Sequence, residues 1–496
     1  MDFHTLLENL KKKSFFSNLS IARGIEKESL RITKDGFISK NSHPIGLGSS
    51  YTNPSITTDF AESLIEMVTP VYDNVDDLYK KLETLHFFIN QNLEDEEMLW
   101  PFSMPPKILN ESSIKIATYG DTNMGKLKHV YRKGLAIRYG KTMQCVAGIH
   151  YNFSISKESL EKLGYKNRKD KDDAYLNLIR NFKRLFWFVL IEFGNSSLID
   201  KSFVSGREHD LEELNNSDLY KPHATSLRMS DIGYQSSAQK NLSFKYNDLE
   251  AFLSELKKAI INPYPEFKKY GLKDKDNEYH QISSGILQIE NELYDCIRPK
   301  RAGKSGERPY QLLKNQGIQY VEVRGIDLNP HEPVGISKKQ IRILDLLLIY
   351  CLITPSPQMD NEEKNKIDEQ DKNIIKAGKS ADAKVWFKGE EVAISSARNE
   401  LIEELKFLAD ELSDELYVEA INLDDVHKNK FDKNDSFHEA GIIKAIENVK
   451  AINTFTNIDL EVCEKEASDS LKEFDRINQL QEISFEEFID SYNSKI

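Results

Sequence analysis

Apolar and polar positions alternate with a period of two around Ile25–Ile32, Thr142–Ser154, Gln281–Tyr294 and Gln319–Ile326, which predicts strands there. The run Ser63–Thr69, stopped by Pro70, fits both the helical and the strand template and is read as a strand near Glu66. A period of 3.6 governs Val75–Gln91, Ala174–Phe193, Asp248–Ile261, Lys338–Cys351 and Ile394–Leu412, and a short amphipathic helix opens the chain. Asp35-Gly36 reads as a turn, followed by a loop rich in glycine and serine up to Ser50. Strands and helices interleave without regular βαβ spacing and without an internal repeat, so the expected fold is α+β. From about Pro355, acidic and lysine-rich segments such as Asp360–Lys364 and Lys428–Lys433 take over. Residues 1–355 are therefore read as the core and 356–496 as a mainly helical C-terminal region packed on it, its charge runs being solvated helix faces.

Length changes this picture little, because 496 residues accommodate one elaborate domain as readily as two or three. Charge excludes more. The net charge is −13, from 67 basic and 80 acidic residues without a basic run, which argues against general nucleic-acid binding. An anionic substrate must then meet locally gathered cations. Cys145, Cys296, Cys351 and Cys463 are scattered with no C-x-x-C pair, so neither a zinc knuckle nor a disulfide framework is indicated and a reduced cytoplasm is expected. Residues 1–20 carry no apolar core of a signal peptide, and the greasiest helix, Ile341–Thr354, contains Arg342 and Asp345 and reads as a core helix. No membrane or nucleic-acid partner is expected, and the protein is expected to act as a monomer.

Candidate chemistry starts in Gly24-Ile25-Glu26-Lys27-Glu28-Ser29-Leu30-Arg31-Ile32. Strand side chains two positions apart project the same way, about 6.6 Å apart, so Glu26 and Glu28 share a face with Leu30 and Ile32. Two sheltered carboxylates repel unless an arginine, a lysine or a divalent metal lies between them; a solvated edge strand is the plain alternative. In Gln144–Phe153 the even positions present Gln144, His150 and Asn152, while Ala147, Ile149, Tyr151 and Phe153 face the other way. In Tyr320–Ile326, Glu322 and Arg324 share a face, giving either a cross-strand ion pair or a carboxylate beside a guanidinium able to fork onto phosphate. With Asp59 and Glu66 added, the acids are too many for one structural ion pair and call for hard cations. Ala302-Gly303-Lys304-Ser305 and Ala377-Gly378-Lys379-Ser380 are not P-loops, because Arg298 and Asn373 stand where the first glycine belongs. The better cationic cluster is Arg298-Pro299-Lys300-Arg301, after a strand expected over Leu287–Tyr294, with Arg132, Arg138 and Arg228 as further candidates. A solvated basic turn is the alternative there.

Together these segments resemble the glutamate–cysteine ligases (γ-glutamylcysteine synthetases) of the proteobacterial type, from the first strand to about Pro333. The resemblance is carried by Arg23–Arg31, Thr57–Glu62, Trp100–Pro105, Tyr131-Arg132 with Arg138-Tyr139-Gly140, Gly148–Phe153, Ala224–Arg228, Gln288–Tyr294 and Tyr320–Arg324, in that order. It implies a glutamine-synthetase-like core in which a curved antiparallel sheet forms an active-site funnel surrounded by helices. It also implies that ATP phosphorylates the side-chain carboxylate of L-glutamate and that the amine of L-cysteine attacks the acyl phosphate. The products would be γ-glutamylcysteine, ADP and phosphate, the first step of glutathione synthesis. By the same matching, Glu26, Glu28, Asp59, Glu66, His150 and Glu322 would hold Mg²⁺, with Mn²⁺ admitted by the histidine nitrogen. Glu322 and Arg324 would be catalytic, Arg324 stabilising charge on the transferring phosphoryl group. Val146, Arg298, Lys300 and Arg324 would bind ATP. Phe60, Tyr131, Leu135, Gln144, Tyr234 and Tyr294 would line the cysteine pocket, and Arg132 and Arg228 would hold substrate carboxylates. Lys27 stands where relatives carry arginine, on the face away from the glutamates.

Two alternatives remain open at this level: a related carboxylate–amine ligase with another acceptor, and a non-catalytic relative that binds nucleotide or glutathione. The intact acid cluster argues against the second. A fused enzyme that also adds glycine would need a further ATP-binding domain larger than the C-terminal tail. The C-terminal helices are expected to brace the funnel without touching substrate.

Overall fold

Seven strands build the main sheet: β1 (Ile21–Ile32), β2 (Ile56–Thr58), β3 (Leu64–Val68), β4 (Met98–Leu99), β5 (Ile149–Ile155), β6 (Ile297–Lys300) and β7 (Tyr320–Ile326). In this computed structural model, which describes residues 2–94, 96–233, 238–304, 306–412, 414–422 and 436–496, they run antiparallel in the order β2-β3-β1-β5-β7-β6, with β4 paired to the end of β1. Helices surround the sheet, among them α1 (Phe3–Lys12), α2 (Val75–Asn92), α3 (Asn123–Tyr139), α4 (Arg168–Phe193), α5 (Leu249–Ile261), α6 (Lys338–Ile353), α7 (Asn361–Ala377), α8 (Ile394–Glu411) and α9 (Phe485–Ser494). The fold is α+β, as expected. Among the described residues no helix is long and apolar enough to cross a membrane.

Alternation within the strands decides the two faces. Ile25, Ile149, Tyr151, Phe153, Val321 and Val323 are fully buried on the rear, where α4 packs on β6, β7 and α6. Capping boxes start both helices, Asn167 with Asp170 for α4 and Ser337 with Gln340 for α6. The same apolar core extends into the C-terminal region through Ile374, Leu401, Leu405 and Leu408. Lys27 also turns rearward, with its Nζ 2.7 Å from His86 Nε2. Burial pulls this lysine down to about 7, and burial together with the Lys27 charge holds His86 well below its usual range.

The charge inside the apolar helix α6 has partners on every side. Asp345 is fully buried and lies 2.9 Å from Arg23 of β1, while the Tyr151 and Tyr417 hydroxyls donate to it at 2.6 and 2.7 Å. Asp345→Asn leaves the Arg23 guanidinium buried without a counter-charge. It is expected to cost about 2–3 kcal/mol of unfolding free energy, read by urea denaturation; an unchanged midpoint would show that the hydrogen bonds alone suffice.

Two expected strands differ. Gln281–Tyr294 is an irregular segment with one 3-10 turn at Glu290–Glu292. Its alternation arises because polar side chains point inward as hydrogen-bond hubs: Gln281 and Glu292 accept from Arg138, and Glu290 accepts from Arg308. Thr142–Cys145 is likewise a 3-10 turn, and β5 begins only at Ile149. Gln144 therefore does not belong to the strand face of His150.

Candidate active site

The strand register lays one polar row across the front of the sheet. Thr57 pairs with Glu66 and Glu66 with Glu28; Glu26 pairs with His150; Asn152 pairs with Glu322 and Glu322 with Arg298. The row floors a cleft of about 510 Å³. Helix α3 lines it with Lys128, Tyr131, Arg132 and Leu135, joined by Phe60, Gln144 and Tyr294. Lys300 and Arg324 line it as well, as do Gly303 and Lys304 of the loop that is not a P-loop.

The centre of the row is acidic. His150 Nδ1 lies 3.1 Å from Glu26 and Nε2 lies 3.5 Å from Glu28, so one imidazole bridges both glutamates. Asn152 donates to Glu26 at 2.9 Å, and the Gly148 N–H donates to Glu28 at 2.8 Å. Burial raises Glu28, and it raises Glu66 well above the carboxylate range, with Glu26, Asp59 and Glu28 adding repulsion. Burial opposes ionisation of Glu26 too, but the His150 hydrogen bond leads the effects that leave it below its ordinary value. Glu26, His150 and Glu322 each offer a donor atom within 4.8 Å of the others. Raised carboxyls packed beside such a donor set fit a hard divalent cation, whose charge would relieve the repulsion.

Glu322 organises the opposite charge. Arg298 reaches it at 2.6 Å, Lys300 at 3.2 Å and Arg324 at 3.3 Å. Burial alone would raise this carboxyl, yet the three cations hold it well below its ordinary value. The ladder between β5 and β7 shifts register between Val323 and Ile326, a bulge at Arg324-Gly325 that aims the guanidinium along the row.

Not every expected residue reaches the cleft. Arg228 is buried behind it, donating to Asp327 at 2.7 Å and to the Arg324 carbonyl at 3.1 Å. A Cβ on Gly148 would come within 2.7 Å of its Nη1, so glycine alone leaves this guanidinium room. Val146 is buried and does not line the cleft, and Tyr234 lies outside the described residues. Arg132 lines the cleft, but its guanidinium donates to the Asp59, Thr58 and Lys128 carbonyls. Arg138 belongs to a buried structural pair with Glu292 at 3.1 Å.

Lys128 and Tyr492 are among the cleft residues that sequence reasoning missed. Lys128 stands three and four positions before Tyr131 and Arg132, a helical spacing that could have revealed it. Tyr492 of α9 also lines the cleft, so the C-terminal helices that are expected to brace the funnel contribute to its wall. Arg308 fixes it there, donating to Glu290 at 2.9 Å and to the Tyr492 carbonyl at 3.1 Å, with its guanidinium 4.4 Å from the ring centre. No local pattern in the C-terminal region announces that contact.

Comparison with known proteins agrees with this geometry. The sequence profile of glutamate–cysteine ligases matches residues 5–374. The glutamate–cysteine ligase of Pseudomonas entomophila is 47% identical over 392 residues, covering 78% of this chain and 74% of its own. That of Hahella chejuensis is 44% identical over 385 residues, covering 76% and 73%. The crystal structure of the Francisella tularensis glutamate–cysteine ligase in complex with AMP superposes with a TM-score of 0.91 at 31% identity, over 96% of this chain and 98% of that one. A profile spanning most of the chain, close relatives and a shared architecture lead to one conclusion: this protein belongs to the glutamate–cysteine ligase family.

Proposed function

We propose that the protein joins the side-chain carboxylate of L-glutamate to the amine of L-cysteine, using ATP and passing through γ-glutamyl phosphate, to give γ-glutamylcysteine as the first step of glutathione synthesis. The observation that carries this reading is the single sheet face on which an acidic centre adjoins three cations gathered by Glu322. A carboxylate attacking a phosphate brings anion against anion, and such a face lowers that barrier by placing fixed charge where the phosphoryl group passes. Glu26, Glu28, Asp59, Glu66, His150 and Glu322 would hold Mg²⁺ or Mn²⁺, which would supply positive charge to offset the phosphate anions.

Arg298 and Lys300 position the phosphate chain, and Arg324 meets charge on the transferring group. Phe60, Tyr131, Leu135, Gln144 and Tyr294 supply a hollow, apolar on one side, for the acceptor. Arg228 acts as a positioning residue through the Arg324 carbonyl, and Arg132 through the Thr58 and Asp59 carbonyls. Four separate buried thiols suit a reduced cytoplasm, where the protein would act as a monomer.

The test is phosphate release from ATP with Mg²⁺ and L-glutamate, comparing L-cysteine, L-2-aminobutyrate, glycine and no acceptor, with the product identified by mass. Cysteine-dependent release and a γ-glutamylcysteine mass are expected, with loss of both in excess chelator. Preference for another amine moves the acceptor but keeps the chemistry. No release under any condition overturns the reading.

A further inference from the structure

Among the cations that line the cleft, most are already engaged. Arg298, Lys300 and Arg324 converge on Glu322, and Arg132 is spent on backbone carbonyls. Lys304 is exposed on the loop at the mouth. Lys128 differs from all of these. Its Nζ stands 5.1 Å from the ring centres of both Tyr51 and Tyr119, and among the described residues no carboxylate lies within 4 Å of it and no acceptor takes its hydrogens. Two aromatic faces hold an ammonium without accepting a conventional hydrogen bond from it, so its donors are left for an incoming anion. Burial, with the Arg132 charge adding to it, draws this lysine down to about 8, an environment in which an incoming anion is held strongly.

The neighbours of Lys128 point to the anion. On α3, Lys128 shares a face with Tyr131 and Arg132, and Leu127 and Leu135 flank that face. Phe60, Leu135 and Tyr294 line the same cleft and offer apolar surface to a short side chain. We propose that Lys128 binds the α-carboxylate of the acceptor amino acid and so makes the enzyme discriminate amino acids from simple amines. The inference rests on the ligase reading given above.

The test compares wild type, Lys128→Gln and Lys128→Arg with L-cysteine, L-2-aminobutyrate and cysteamine, the last having the thiol and amine of cysteine without its carboxylate. In Lys128→Gln the ratio of kcat/KM for L-cysteine over cysteamine is expected to fall about 30-fold, as for loss of one charge-assisted hydrogen bond. The ratio for L-2-aminobutyrate over cysteamine should fall alike, and Lys128→Arg should restore most of both. A purely structural role would depress all three amines equally and leave the ratios unchanged, which overturns the inference while the ligase reading stands. A rise confined to the KM for L-glutamate also overturns it, by assigning the ammonium to the other substrate. Absence of cysteine-dependent phosphate release from wild type removes the ligase reading and the inference together.

Discussion

Glu322→Gln is expected to reduce turnover about 10³-fold and to lower unfolding free energy by about 3 kcal/mol. Glu322 is almost fully buried, and its two oxygens are the meeting point of Arg298, Lys300 and Arg324. An amide of the same shape keeps the volume but leaves three neighbouring cations without their counter-charge. Arg298 retains its bonds to the Asn291 and Leu293 carbonyls at 3.0 and 3.1 Å, so repulsion should displace Lys300 and Arg324 instead. The loss should fall on kcat more than on folding. Because the folded carboxyl titrates well below its ordinary value of 4.5, its contribution to stability is present above that value and disappears as pH falls through the lower, folded one. Urea denaturation of metal-free protein should therefore show wild type and variant differing fully at pH 7 and converging as acid takes the pH well below 4.5. A difference that stays constant down the acid limb would place the stabilisation elsewhere.

Arg324→Ala should lower kcat by about 10²–10³-fold, the range for removing one pre-aimed donor from a developing anion, with smaller changes in KM for ATP and L-glutamate. Lysine at this position keeps the charge but not the planar fork, so Arg324→Lys is expected to recover only part of the loss. The two effects should not add. Once Glu322 is neutral the guanidinium is already misplaced, and Glu322→Gln/Arg324→Ala should be scarcely slower than Glu322→Gln alone. Near-normal kcat in Arg324→Ala would remove this residue from the chemistry.

Much of the site was legible because strands translate sequence spacing directly into a face. Glu26 with Glu28, His150 with Asn152 and Glu322 with Arg324 needed only the period of two, and the register then joined them. The helices α2, α4, α5 and α6 followed equally directly from their period. Failures came where local pattern and tertiary role part company. The alternation over Gln281–Tyr294 records inward hydrogen-bond hubs, which repeat like a strand without pairing as one. Spacing also gives no information on whether an arginine is available: Arg228 and Arg138 stand in matching motifs, yet Asp327 and Glu292 occupy them. The bulge beside Arg324 is a property of two strands together, and the Tyr492 contact joins segments far apart in the chain.

That last contact governs when the site can exist during synthesis. Glu26 lies near the start of the chain and Tyr492 near its last described residues, so the acidic row is made long before the wall that closes it. At ordinary elongation rates the interval is on the order of a minute. Until Tyr492 follows, the carboxylates carried by β1 to β7 lack that part of their wall, and neutralisation by cations would protect the nascent chain as much as it prepares the finished enzyme for its reaction.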